Sequence, residues 1–191
     1  MTDDSLREEM HKDPGVGGVP QDPVAEAIVE RVKGAVAVDS RGQTVVHIPR
    51  DSWLEAVRFL KEEQQFTQCC DITAVDQLLR PDRPLPPGVD RERFEVVANF
   101  LSHPRNRRIR LICQVPDGPE PDGAVIDSLF ELFPGTELPE REVYDLFGVR
   151  FAGHPDLTRL LLPDDWEGHP LRKDDAPARV PVQFKEAQTP R

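Results

Sequence analysis

Two groups of side chains in the last third of the chain are of the types that do chemistry. The first is Glu140, Glu142 and Asp145 around Tyr144, in the run Glu140-Arg-Glu-Val-Tyr-Asp-Leu-Phe-Gly148. Paired carboxylates serve as general acid and base when one of them is desolvated. Here Arg141 stands between the two glutamates, and the usual fate of such a cluster is a solvated or ion-paired face. The second group is His154 and His169, 15 residues apart, each inside a Gly-His-Pro triplet, with Asp156, Asp164, Asp165 and Glu167 nearby. Histidine and carboxylate are zinc ligands, but neither histidine has a second ligand at helical or hairpin spacing. A hydrogen bond at a turn fixed by the following proline is the simpler role.

Other chemistries lack their residues. No Gly-rich phosphate loop occurs, no Gly-x-Gly-x-x-Gly follows a strand, and there is no serine elbow. Cys69, Cys70 and Cys113 are an odd set with two neighbours adjacent, neither a disulfide framework nor a four-thiolate cluster site. They read as reduced cysteines buried on strands. A net charge of −11 argues against a general nucleic-acid binder. Arg105, Arg107, Arg108 and Arg110 do cluster at a turn, but without interleaved aromatics. They suit a solvated turn first and docking to an acidic protein second. No apolar run approaches the roughly 20 residues that span a bilayer. Residues 1–21 are acidic and rich in Gly and Pro with no apolar signal region, so the expectation is a cytosolic protein that meets a membrane only through a partner.

The elements that must position these groups are set by periodicity. Residues 1–21 read as a disordered acidic extension. Asp22-Pro23 starts a helix with Ala25, Ile28, Val29 and Val32 at helical spacing, stopped by Gly34. Residues 35–38 and 44–48 form a hairpin across a turn-rich link. Ser52 and Glu55 have capping-box spacing, opening a helix to about residue 64 with Trp53, Val57 and Leu60 inward. Residues 66–75 read as a strand with Cys70, Ile72 and Ala74 on one face. The proline-rich 80–91 is a loop. Residues 94–101 and 108–115 alternate as a long hairpin, with residues 103–107 as its turn. Val125, Ile126, Leu129, Phe130 and Phe133 predict a helix ended by Pro134-Gly135. A short helix over 140–147 comes next, with Pro139 in its first turn and Gly148 just past its end. The fold class is α+β: a mostly antiparallel or mixed sheet with helices packed on it. Residues 22–148 make the domain, 149–175 an extended C-terminal arm with one helical turn at 156–162 capped by Asp156, and 176–191 a flexible tail. An arm without a core of its own, yet carrying Phe151, Leu157, Trp166, Arg150, Arg159 and Arg172, is built to be completed by a partner surface.

The run at 140–148, with Phe151, Gly153-His-Pro-Asp-Leu157, Arg159 and Trp166-Glu-Gly-His-Pro-Leu-Arg-Lys-Asp174, resembles the C subunit of respiratory NADH:quinone oxidoreductase, the thirty-kilodalton subunit of complex I. Weaker likeness extends to residues 71–76, 94–100 and 108–115. The resemblance implies a structural subunit of the complex's peripheral arm, without catalytic activity alone and without flavin or iron–sulfur cluster. FMN and the Fe–S clusters then belong to partner subunits. Its implied partners are subunits D and B and the rest of the peripheral arm, with the packing made on D. The place is the cytoplasmic side of the cell membrane, in an enzyme that oxidises NADH, reduces quinone and pumps protons. Carried over residue by residue, the partner-interface set is Glu140, Arg141, Glu142, Tyr144, Asp145, His154, Asp156, Arg159, Trp166, Glu167, His169, Arg172, Lys173 and Asp174. Two other readings stay open: the matching subunit of a related membrane-bound hydrogenase or other quinone-linked dehydrogenase, and a stand-alone enzyme using the Glu/His cluster.

Overall fold

The computed structural model describes residues 18, 20–119 and 123–175. Most of the N-terminal extension and the 176–191 tail lie outside the described residues. At the entry point the amide of Asp39 donates to the Gly18 carbonyl at 2.8 Å, and Pro20 is buried. Helix α1 (Pro23–Arg31) begins where the sequence puts it, because the Asp22 carboxylate accepts from the Val24 amide at 2.9 Å. Strands β1 (Val36–Ser40) and β2 (Gln43–Ile48) pair through a two-residue turn. Arg41 and Gly42 both take positive φ there, as the tightest hairpin link requires. Helix α2 (Trp53–Glu62) buries Trp53, Val57 and Leu60 as expected. The capping box does not form, since a 3-10 turn over Arg50–Ser52 leads into the helix and Ser52 makes no cap hydrogen bond.

Strands β3 (Gln68–Asp76), β4 (Phe94–Ser102) and β5 (Arg107–Val115) complete a five-stranded mixed sheet of order β1-β2-β5-β4-β3. All its pairs are antiparallel except β2 with β5. Phe94, Val96, Ala98 and Phe100 of β4 and Ile109, Leu111, Cys113 and Val115 of β5 face one core together with α1 and α2. The cysteine expectation holds only in part. Cys113 is buried and Cys69 half-buried, but Cys70 is exposed. Cys69 pairs with Phe100 and Asp71 with Asn99, so Cys70 is the extra residue of a bulge and leaves the face that Ile72 and Ala74 share.

The loop before β4 is anchored by the buried Arg83, which donates to Glu95 at 2.9 Å and to Gln114 at 2.9 Å. Burial pushes the Glu95 carboxyl up, and hydrogen bonds from Gln114, Arg83 and Gln77 outweigh it, so its pKa lies below the ordinary value.

The helix expected over 125–133 is absent. Val125–Asp127 is instead a short strand, β6, parallel to β7 (Arg150–Ala152). Ile126, Leu129 and Phe133 are still buried, but a strand and turns deliver them, and β-branched Val125 and Ile126 favour that choice. Helix α3 (Glu137–Phe147) starts a turn earlier than the sequence suggests, behind a 3-10 turn at Pro134–Thr136, and lies against β3. Gly148 closes it at φ 73°, the left-handed end that glycine favours. Val149 and Phe151 are buried with the core, and β7 pairs with β6.

Candidate functional site

The charged groups of α3 divide, since Glu142 is exposed and two others are not. Glu140 and Asp145 are both fully buried. Glu140 Oε2 accepts from Ser128 Oγ at 2.6 Å and Oε1 from the Leu129 amide at 2.7 Å, tying the 128–129 turn to the helix. Burial raises its pKa despite those bonds.

Asp145 organises the start of the arm. Its Oδ2 accepts from three consecutive amides, Leu160 at 3.0 Å, Leu161 at 2.7 Å and Leu162 at 2.9 Å, while Oδ1 takes Arg159 Nη1 at 2.7 Å. Burial would raise this carboxyl. The amides of Leu162, Leu161 and Leu160, with the Arg159 guanidinium, reverse that and hold it at about 2. The 156–162 helical turn expected from the sequence does not exist. Those amides are capped by an aspartate of the preceding helix, not by Asp156.

Around this carboxylate the arm is bound back onto its own domain. Arg141 donates to the Thr158 carbonyl at 3.1 Å, to Thr158 Oγ1 at 2.9 Å and to the Arg159 carbonyl at 2.8 Å. Arg159 Nη2 reaches the Gly168 carbonyl at 3.0 Å. His169 Nδ1 donates to the Asp145 carbonyl at 2.9 Å, and its ring meets Tyr144 edge-on at 5.9 Å. That ring lies so close to Gly148 that a Cβ there would stand 2.7 Å from His169 Cδ2. His154 Nε2 donates to the Glu137 carbonyl at 3.0 Å while Nδ1 accepts from the Asp156 amide at 3.1 Å. Both its ring nitrogens are thereby used in a turn. Among the described residues no group of three or more His, Cys, Asp or Glu is placed to hold a metal.

The tip of the arm is fixed to the far end of the sheet. Arg93 donates to Asp76 at 2.9 Å, to Asp117 at 2.6 Å and to both carboxylate oxygens of Asp174. Arg172 reaches Asp117 at 3.2 Å, and the Lys173 amide donates to Asp76 Oδ2 at 2.8 Å. Arg93 and Arg172 both stand over the Phe94 ring. The Arg93 guanidinium holds Asp174 well below the carboxylate range. Burial opposes, but Arg93 and the amides of Lys173 and Leu78 prevail in lowering Asp76. The sequence reading missed Arg93, Asp76 and Asp117. Asp76 was findable, since strand alternation from Ile72 and Ala74 puts it on the buried face.

The predicted residues therefore divide. Glu140, Arg141, Tyr144, Asp145, His154, Arg159, His169, Arg172 and Asp174 make contacts within the chain, and the Asp156 amide donates to His154 in a local turn. Glu142, Glu167 and the Lys173 ammonium are exposed and have no hydrogen-bond or ion-pair partner among the described residues. Trp166 is half-buried, while Leu138, Leu161 and Leu171 are 53%, 61% and 42% exposed. The extended arm is thus bonded to its own domain through polar groups, and it leaves Leu161, Glu167, Leu171 and Lys173 exposed.

The family described as respiratory-chain NADH dehydrogenase, 30 Kd subunit, matches residues 46–180. The C subunit of NADH-quinone oxidoreductase from Geobacter sulfurreducens is 43% identical over 146 residues, 75% of this chain and 82% of that protein. That of Saccharopolyspora erythraea is 35% identical over 175 residues, 91% of this chain but only 61% of that protein. Among solved structures, a chain of the membrane-bound sulfane sulfur reductase, an archaeal respiratory membrane complex, superposes with a TM-score of 0.65. It covers 86% of this chain and 95% of its own, at 23% identity, a likeness of fold.

Proposed function

The chain belongs to the family of the respiratory-chain NADH dehydrogenase 30 kDa subunit, the C subunit of NADH-quinone oxidoreductase, and from that premise we propose that it works by position and carries no redox group of its own. In this reading electrons pass from NADH through FMN and iron–sulfur centres held by other subunits to quinone. This chain supports that path by packing its arm on D, of the neighbouring subunits D and B, at the cytoplasmic side of the membrane. No described helix is long and apolar enough to cross a bilayer, which suits attachment through partners.

The observation that carries the proposal is the division of the arm. Asp145 and Arg93 fix its inner side, so the outer strip of Glu142, Leu161, Trp166, Glu167, Leu171 and Lys173 is presented in one shape before any partner arrives. Such preorganisation lowers the entropy cost of docking. A half-buried tryptophan beside exposed leucines is the composition of an interface centre.

The test is co-purification of the full chain with subunits B and D. Wild type is expected to be retained. Trp166→Ala with Glu167→Lys is expected to lose the partners while its melting temperature stays put. Retention of both partners by that double variant contradicts the role given to the strip. Flavin or iron bound to the isolated chain contradicts the absence of a redox group.

A further inference from the structure

The arginines at the start of β5 have no part in the arm. Arg105, Arg107 and Arg108 are exposed and Arg110 is half-buried, within a chain of net charge −11. Little among the described residues neutralises them. Arg107 reaches Asp22 at 3.3 Å with 48% of its side chain still exposed. Arg110 Nε donates to the neutral Asn99 amide oxygen at 3.0 Å. The guanidinium groups of Arg105 and Arg108 have no partner among the described residues. Arg107, Arg108 and Arg110 line an open cleft of about 550 Å³ between the β1–β2 turn at Gly42 and the β3 bulge at Cys70.

This cleft lies at the opposite end of the sheet from the tip of the arm. Asp76, Arg93 and Asp117 mark one end of β3, β4 and β5, and the β4–β5 turn marks the other. Nine-residue strands put those ends roughly 27 Å apart, at about 3.4 Å per residue.

We infer that the cleft docks an acidic protein segment, a stretch of Asp and Glu side chains on a second partner protein, so that the chain bridges two neighbours from its two ends. This rests on the reading that the chain is built into an assembly of several proteins. Guanidinium forks bind carboxylates two bonds at a time, and unpaired arginines at a rim steer such a partner in. Nucleic acid fits less well. Phe100, the one aromatic that lines the cleft, is buried and offers no face on which a base could stack.

Cys70 supplies a readout inside the cleft. It is the exposed thiol of the three, whereas burial pushes Cys69 and Cys113 up to about 12. The experiment alkylates the chain free and in the purified complex, and repeats the purification with Arg105→Glu plus Arg108→Glu, whose side chains touch no described partner. The proposal expects Cys70 to be protected at least about tenfold in the complex. It also expects the double variant to keep its melting temperature and to leave the complex at lower salt than wild type. Equal Cys70 reactivity in both states, or unchanged salt resistance of the variant, overturns the docking site. Binding of a DNA oligonucleotide by the free wild-type chain that the double variant loses, with the variant's salt resistance in the complex unchanged, overturns the choice of ligand. If wild type itself co-purifies with no other protein of the complex, the fault lies with the proposed function and not with the cleft.

Discussion

The sheet domain and the arm are held by different forces, although one chain runs through both without a break. In the domain, Trp53, Leu60, Phe94 and Leu111 are essentially removed from water, and the stabilisation is apolar burial. In the arm, Leu161 and Leu171 stay exposed, and what holds it are buried or nearly buried charged groups of the domain, Asp145, Asp76 and Arg93. Apolar burial holds wherever shapes fit. A buried carboxylate holds only while its donors stay in place, because losing them strands a charge. The arm is therefore specified in geometry by its polar bonds to the domain, which suits a surface that must arrive at a partner in one conformation.

The comparison can be broken at either side. Leu111→Ala opens a cavity in the sheet and is expected to cost about 3 kcal/mol in urea unfolding, with arm and domain melting together. Arg93→Ala is expected to cost nearly as much, about 3 kcal/mol, since the Asp76 side chain is 0% exposed and loses its charged donor. Gly148→Ala combines a left-handed backbone position with the His169 ring and is expected to cost about 1–2 kcal/mol, seen as a lower melting temperature.

Acid provides a reversible version of the same break. Asp145 titrates at about 2 in the folded chain against an ordinary 3.8, and Asp174 and Asp76 are also lowered. A depressed carboxylate stabilises the fold fully above its unfolded value and loses that contribution as it becomes protonated. The arm is thus expected to loosen as pH falls from about 4 toward about 2. The emission of Trp166, taken as the difference between wild type and Trp166→Phe, reports it, while Trp53 stays in the core. No emission change over that window contradicts the role of the carboxylates. The smallest effect belongs to Trp166→Ala, within about 0.5 kcal/mol for the isolated chain, as for other substitutions away from the core.

The sequence was legible where the cause of structure is local. Alternation along β4 and β5, the Asp22 cap of α1 and the Gly148 end of α3 each depend on neighbours a few residues away, and each is found. Three-residue strands such as β6 and β7 carry no alternation to detect, and the apolar spacing of Val125, Ile126 and Leu129 imitates a helix. The bulge at Cys70 shifts the face by one residue without a compositional mark. In the arm the sequence shows which residues carry charge, but not what they meet within the chain. Asp145 caps amides 15 to 17 residues ahead, and Arg93 meets Asp174 across 81 residues. Sequence spacing shows neither closure, because both join groups far apart in the chain.

Amide hydrogen exchange at Leu160, Leu161 and Leu162 in the free, full-length chain tests this directly. The account predicts that all three amides are protected in wild type and that Asp145→Ala removes their protection while the β4 and β5 amides keep theirs. Exchange of the wild-type amides at the rate of an unstructured peptide, or equal protection in the variant, contradicts it.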